Sequence, residues 1–218
     1  MARPVATRDL PLYGLDIETD TVVDGLDPVL SPVAAVALST PATDEVFTGE
    51  EVDVLRRLDG RLRALPRGIL TTWNGAAFDL PFLADRAAIR GVRLGLRLEP
   101  DPFVLSQSDP LVGHVAVYRA TWHRHRHLDA YRAYQSDVGP ALRISCSLKS
   151  IARLAGFRPV EVDRQHIHDL APDELEAYVA SDARLARLLA ERRRPGIDRW
   201  VDGPDLSHPL ARVPRTGS

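Results

Sequence analysis

Two carboxylates, Asp16 and Glu18, interrupt the apolar run YGLDIETD at residues 13–20. Side chains alternate along a strand, so both acids point to one face while Tyr13, Leu15 and Ile17 share the other. Like charges about 7 Å apart on a half-buried face raise each other's pKa unless a cation lies between them. A divalent metal would satisfy the pair. The bland alternative is a strand end that frays into solvent, with Glu18 and Asp20 starting a turn.

Two further acids raise the same question. Asp79, in WNGAAFDLPFL, follows a turn at Asn74 and Gly75 and stands at the start of a helix, where the helix dipole alone would welcome it. Phe78 and Phe82 then form an i, i+4 pair of core type. In the last helix the apolar stripe runs Leu175, Tyr178, Asp182, Leu185, Leu189, which puts Asp182 on the buried side. Ser181 or Ala183 would have carried the charge outward. An aspartate in the stripe needs a metal or an arginine, and Tyr178 stands one turn before it.

The elements that must position these acids follow from periodicity. Strands are expected over residues 12–18, 32–40 and 45–49 as an antiparallel meander. Apolar residues at 52, 55, 58, 62 and 65 predict a helix with arginines outward, followed by a short strand in GILTTW. A helix opens near Asp79, tolerates Pro81 in its first turn and ends at Gly91. Residues 91–120 read as an exposed loop between two possible strands, and VYRATWHRHRHLDAYRAY as an edge strand running into a short helix. SLKSIARLAGF reads as a helix capped by Ser147 or Ser145 and stopped by Gly156. The last helix starts at Pro172 and runs to about Arg193. Strands first and helices interleaved later indicate an α/β fold with a mixed central sheet flanked by helices. The expected division is one domain over 1–194 and a Pro- and Gly-rich tail over 195–218, extended or disordered, which contains Trp200.

Composition narrows the classes. The chain has 218 residues, 44% of them hydrophobic, enough for a sizeable core. It shows neither an apolar span for a membrane nor a secretory leader, so a cytoplasmic location is expected. One cysteine, Cys146, excludes an internal disulfide framework. A net charge of −2 makes any nucleic-acid contact local. Lys149 is the only lysine.

In the order Asp16 with Glu18, then Asp79, then Tyr178 with Asp182, the texts LDIET, NGAAFDLPFL and YVASDARL resemble the DEDD superfamily of 3′–5′ exonucleases. The resemblance runs from about Leu12 to Leu189. The histidine type would need a histidine where Ala177 stands, whereas Tyr178 matches the tyrosine type, DEDDy. The wording looks most like the proofreading exonuclease module of family-B DNA polymerases and stand-alone bacterial relatives, although the remaining residues leave no room for a polymerase domain.

That resemblance implies a ribonuclease H-like fold and two Mg²⁺ or Mn²⁺ ions held by Asp16, Glu18, Asp79 and Asp182. Asp16 would bridge both ions, and Tyr178 would orient the attacking water. The substrate would be nucleic acid with a free 3′ end, single-stranded DNA favoured, and the product nucleoside 5′-monophosphates. Candidate substrate contacts are Thr19, Asn74, Phe82 and Lys149, with Arg143 and Arg153 as further phosphate contacts. Thr19 and Asn74 could equally be turn-formers, Phe82 a core residue, and Arg153 part of a solvated face. His123, His125 and His127 share a strand face but read as solvent-facing or backbone-contacting rather than as metal ligands, as do His166 and His168. Asp129 reads as the cap of the short helix that follows it, although members of the family that the motifs resemble carry an acidic residue at a similar point. The competing functions are a catalytically silent binding module on the same fold, an RNA-directed exoribonuclease, and an α/β domain whose acids form only structural ion pairs.

Overall fold

In the computed structural model, which describes residues 6–101, 111–136, 138–196 and 201, the first three strands form the expected meander. They are β1 (Leu12–Thr19), β2 (Val33–Ser39) and β3 (Asp44–Thr48), paired antiparallel. Strand β4 (Ile69–Thr72) lies parallel on the other side of β1 but pairs only with its residues 12–14. Asp16 and Glu18 therefore run past the end of that pairing, where an α/β sheet opens a crevice at its strand ends.

The sheet continues with β5 (Leu96–Pro100), β6 (Tyr118–Trp122) and β7 (His125–Asp129), giving seven strands in the order β3-β2-β1-β4-β7-β6-β5. β7 is parallel to β4, and the β7-β6-β5 arm is antiparallel. This mixed sheet with helices on both faces is the α/β, ribonuclease H-like architecture that the motifs imply.

Helix α1 (Glu51–Ala64) begins where the Glu50 side chain accepts from the Asp53 N–H. It buries Val54, Leu55, Leu58 and Leu62 against Tyr13, Leu15 and Ile17, and α2 (Asp79–Ile89) adds Leu80, Phe82 and Leu83 to the same core. Each such side chain contributes about 1.5–3 kcal/mol relative to exposure. The opposite face, which carries Asp16 and Glu18, is covered by the long helix reading from Pro172 to Arg192 and, beside it, by the one capped at Ser147. In chain order these follow α3 (Ala130–Gln135) and α4 (Val138–Leu142), so they are α5 (Leu148–Leu154) and α6 (Pro172–Arg192).

Helix α6 sits close on the sheet because its seam is made of small residues. Ala35 and Ala37 of β2 pack on Val179 and Ala183. A Cβ on Gly14 would stand 1.9 Å from the Ala183 carbonyl oxygen. The low seat also widens the buried face of α6 beyond the expected stripe. Ser181 and Ala183, expected to face outward, are both buried.

The HRHRH region departs most from expectation. It is not an edge strand but a hairpin inside the sheet, with β7 between β4 and β6. His123 takes the left-handed conformation, φ 51, and with Arg124 turns the chain between Trp122 and His125. His125 and His127 are buried rather than solvent-facing, although His125 makes backbone contacts, the other half of the expectation. His125 accepts from the Gly68 N–H at Nδ1 and meets the Leu62 carbonyl at Nε2, while His127 Nε2 lies 2.8 Å from Thr72 Oγ1. Burial pushes His127 down to about 3, so it is neutral and packs as a polar core residue. Part of the expected 91–120 loop is strand β5, and residues 102–110 lie outside the described residues. So does most of the 195–218 tail, Trp200 included. Among the described residues, no helix is long and apolar enough to cross a membrane.

Candidate active site

The three acidic motifs meet at the carboxyl ends of the parallel strands. β1 supplies Asp16 and Glu18, the first turn of α2 supplies Asp79, and α6 supplies Tyr178 and Asp182. Glu18 is 9% exposed, Asp79 6%, and Tyr178 and Asp182 1% each, so these are interior groups. Asp16 keeps some exposure where it lines a cleft of about 400 Å³, shared with Trp73, Asn74, Tyr131 and Asp182.

The electrostatics show how closely the acids are gathered. Burial first, then the charges of Asp182, Asp79 and Glu18, push the Asp16 carboxyl well above the usual carboxylate range, and Lys149 offsets this only in part. Asp79 is pushed up to about 7, chiefly by burial and also by Asp129, although backbone hydrogen bonds at Asp79 itself and Ile17 pull it back. As placed, no group of three or more His, Cys, Asp or Glu among the described residues forms a ready metal cage.

Asp182 is paired with a lysine where a metal or an arginine was expected. Lys149, on the first turn of α5, forms an ion pair with Asp182, donates to the Val160 carbonyl at 2.9 Å, and lies 4.5 Å from the centre of the Tyr178 ring. Ser147 caps α5 through the Ser150 N–H, which fixes the start of the helix that carries this lysine.

The other candidates fall at different distances from this centre. Asn74 lines the cleft in the left-handed conformation, φ 69, at the turn between β4 and α2. The Thr19 hydroxyl donates to the Gly25 carbonyl at 2.5 Å, which makes it a turn-former. Phe82 is fully buried in the core, and Phe78, half-buried, lies 5.4 Å from it between ring centres. Arg153 pairs with Glu161 on the surface, and Arg143 is exposed with φ 53. His168 meets Thr21 Oγ1 at 2.9 Å, and the side chain of His166 lies outside the described residues.

Two features escaped the sequence reading. The wall formed by Trp73 and Tyr131, whose rings lie 6.2 Å apart, could have been suspected from an aromatic directly before Asn74. The long-range contacts of Asp129 have no local pattern. Its Oδ1 accepts from the Asn74 and Tyr131 N–H groups and its Oδ2 from Ala76, so it does more than cap α3.

This chain has relatives among known proteins. Over 138 residues, 62% of the chain, it is 28% identical to the catalytic subunit of DNA polymerase epsilon from Schizosaccharomyces pombe and 27% identical to that from Candida glabrata. The family B DNA polymerase from the hyperthermophilic archaeon Pyrobaculum calidifontis superposes on 89% of the chain with a TM-score of 0.70 and 22% identity. This chain resembles a module of family-B DNA polymerases. The chain spans only 6% of the length of the two curated relatives and 25% of the archaeal chain. No family model matches it.

Proposed function

We propose that this chain is a divalent-metal-dependent 3′–5′ exonuclease of the tyrosine type, acting on single-stranded DNA and releasing nucleoside 5′-monophosphates. We take 1–194 as the catalytic domain and the cytoplasm as its place of work. The observation that carries the reading is the convergence of the buried Asp182, Asp79 and Glu18 on the half-buried Asp16, beside Tyr178. Buried like charges are destabilising unless something cationic joins them.

The donor set fits hard divalent ions, which take carboxylate oxygens. Asp16, Glu18, Asp79 and Asp182 would hold them. Bound there, they would make water a nucleophile at neutral pH and stabilise the charge on the leaving 3′ oxygen. The chain's own groups do the rest. The Tyr178 hydroxyl orients the attacking water; a phenol is too weak a base to remove its proton at neutral pH. Lys149 brings positive charge to the scissile phosphate, and its anchorage on Val160 limits how far it swings. Asn74 and Trp73 face the terminal nucleotide from the cleft wall, the indole offering a stacking surface to any base. Thr19 acts through its backbone, since its hydroxyl is engaged, and Phe82 acts by packing beneath Phe78.

The test is digestion of matched 5′-labelled single-stranded DNA and RNA oligomers with Mg²⁺ or Mn²⁺, with EDTA and Asp182→Ala as controls. A metal-dependent ladder shortening from the 3′ end is expected, faster on DNA; faster loss of RNA would make the chain an exoribonuclease. The Lys149–Asp182 pair favours one rival, a silent binding module, because an ammonium already neutralises that carboxylate. No ladder on either oligomer, from wild type and variant alike, would overturn the exonuclease reading.

A further inference from the structure

We propose that Asp129 is a positioning residue for this site, its carboxylate fixing the 74–76 turn from which α2 presents Asp79. Asp129 is the last residue of β7, 7% exposed, and its backbone pairs with Thr72 at the end of β4. A helix cap needs one hydrogen bond, here from the Tyr131 N–H at 3.1 Å. Asp129 makes two more, to the Asn74 N–H at 2.9 Å through Oδ1 and the Ala76 N–H at 3.2 Å through Oδ2. One buried carboxylate thus grips alternate amides of a turn far away in sequence.

The grip determines where Asp79 stands. Asn74 is held at φ 69, a conformation few side chains adopt unaided. Its carbonyl accepts from Ala77 and Phe78, and the Gly75 carbonyl accepts from Leu80, so the turn leads straight into the first turn of α2. Gly75 is pinned from the other side. Its N–H donates to Thr72 Oγ1 at 3.2 Å, and a Cβ there would stand 2.4 Å from that oxygen. Any shift at Asn74 or Ala76 is therefore passed to Asp79, and the cleft itself is lined by Asn74 rather than by Asp129.

Asp129→Asn is the discriminating variant. Its amide oxygen can keep the Asn74 and Tyr131 bonds, while its NH₂ group faces the Ala76 N–H, donor against donor. Amide hydrogen exchange should accelerate across residues 74–80 and remain unchanged in α1 and α6. The kinetic arm rests on the exonuclease reading: kcat on a DNA oligomer should fall about tenfold with KM within about twofold, the pattern of a lost transition-state interaction. Combined with Asp79→Asn, the loss should not multiply, because both variants damage one unit. Asp129→Ser, which still caps α3 but cannot span both turn amides, should show the same local exchange. Unchanged exchange at 74–80 in both variants would overturn the inference, as would a kinetic loss that multiplies with that of Asp79→Asn. If the wild type digests nothing, the exonuclease reading fails by itself and the exchange data alone decide the role of Asp129.

Discussion

The Lys149 ammonium is paired with the Asp182 carboxylate and stands 4.5 Å from the centre of the Tyr178 ring. It also holds the Val160 carbonyl, whose residue returns an N–H to Ser181 Oγ at 3.2 Å, so one side chain ties α5, the segment after it and α6 together. Lys149→Met keeps the length of the side chain and removes the charge. With EDTA present, this variant should be about 1–3 kcal/mol less stable in urea, because a carboxylate that is 1% exposed loses its cation. Saturating Mn²⁺ should recover most of that loss. An equal loss with and without Mn²⁺ would mean that no ion takes up the charge of Asp182.

The raised carboxyls give stability a defined pH dependence. An unfolded aspartate ionises near 4, whereas folded Asp79 ionises at about 7. Between those values the folded state holds a proton that the unfolded state has lost, so the stability contributed by neutral Asp79 is complete below about pH 4 and disappears as pH rises through about 7. His127 runs the other way. Lowered to about 3, it makes stability rise with pH up to about 6.5, so wild-type melting alone mixes opposing effects. Asp79→Asn mimics the protonated acid and isolates its share. In EDTA the excess stability of the variant should grow from about 1 kcal/mol near pH 5 to about 4 kcal/mol near pH 8. A difference that stays flat across that range would remove the buried charge of Asp79 from the account.

What could be read from the chain was what repeats or alternates locally. The meander, α1 and α6 each carry their own period, and an acid that breaks such a period, as Asp16 and Asp182 do, marks itself. The β6–β7 hairpin was hidden because His123 and Arg124 make its turn without the Gly or Asn that announces one. Its buried face is also written in imidazoles, which become core residues only once neutral and bonded, as His125 and His127 are. The inward position of Ala183 depends on Ala35 and Ala37, residues of another strand whose smallness lets α6 descend, and Ser181 is covered where its hydroxyl accepts from the Val160 N–H. The Asp129 grip and the Lys149 pair join residues distant in sequence, where periodicity carries no information.

A second buried pair anchors the chain that follows Glu18. Arg86 donates to both oxygens of Glu51 at 2.7 and 2.6 Å and to the Pro28 carbonyl at 2.7 Å, while Glu51 also accepts from the Val33 N–H at 2.9 Å. Arg86→Met should destabilise the protein by about 2–4 kcal/mol, moderated by Arg90, which remains 3.3 Å from Glu51. Adding Glu51→Gln should recover part of this loss, since the remaining buried charge goes with it. Limited proteolysis should show faster cleavage within residues 20–32, where Val22, Val23, Leu26 and Val29 are exposed. Unaltered cleavage there would show that Arg86 supports the core and not the loop.

The placement of Asp182 against Asp16 depends on a residue with no chemistry of its own. Gly14 lies two residues before Asp16 on the same face, and an added Cβ would meet the Ala183 carbonyl oxygen at 1.9 Å and its carbon at 2.9 Å. Both are backbone atoms of α6, so relief requires moving the helix that carries Tyr178 and Asp182. Gly14→Ala should therefore cost about 3 kcal/mol, at the upper end of overpacking. It should also slow 3′-end digestion although Gly14 itself does not line the cleft. Gly60→Ala supplies the contrast. It lies on the exposed side of α1 with nothing within 4 Å of its added Cβ, so it should stabilise the chain by about 0.5–1 kcal/mol and leave digestion unchanged. If Gly14→Ala melted and digested like wild type, the close seat of α6 on β1 would not be what brings the acids together.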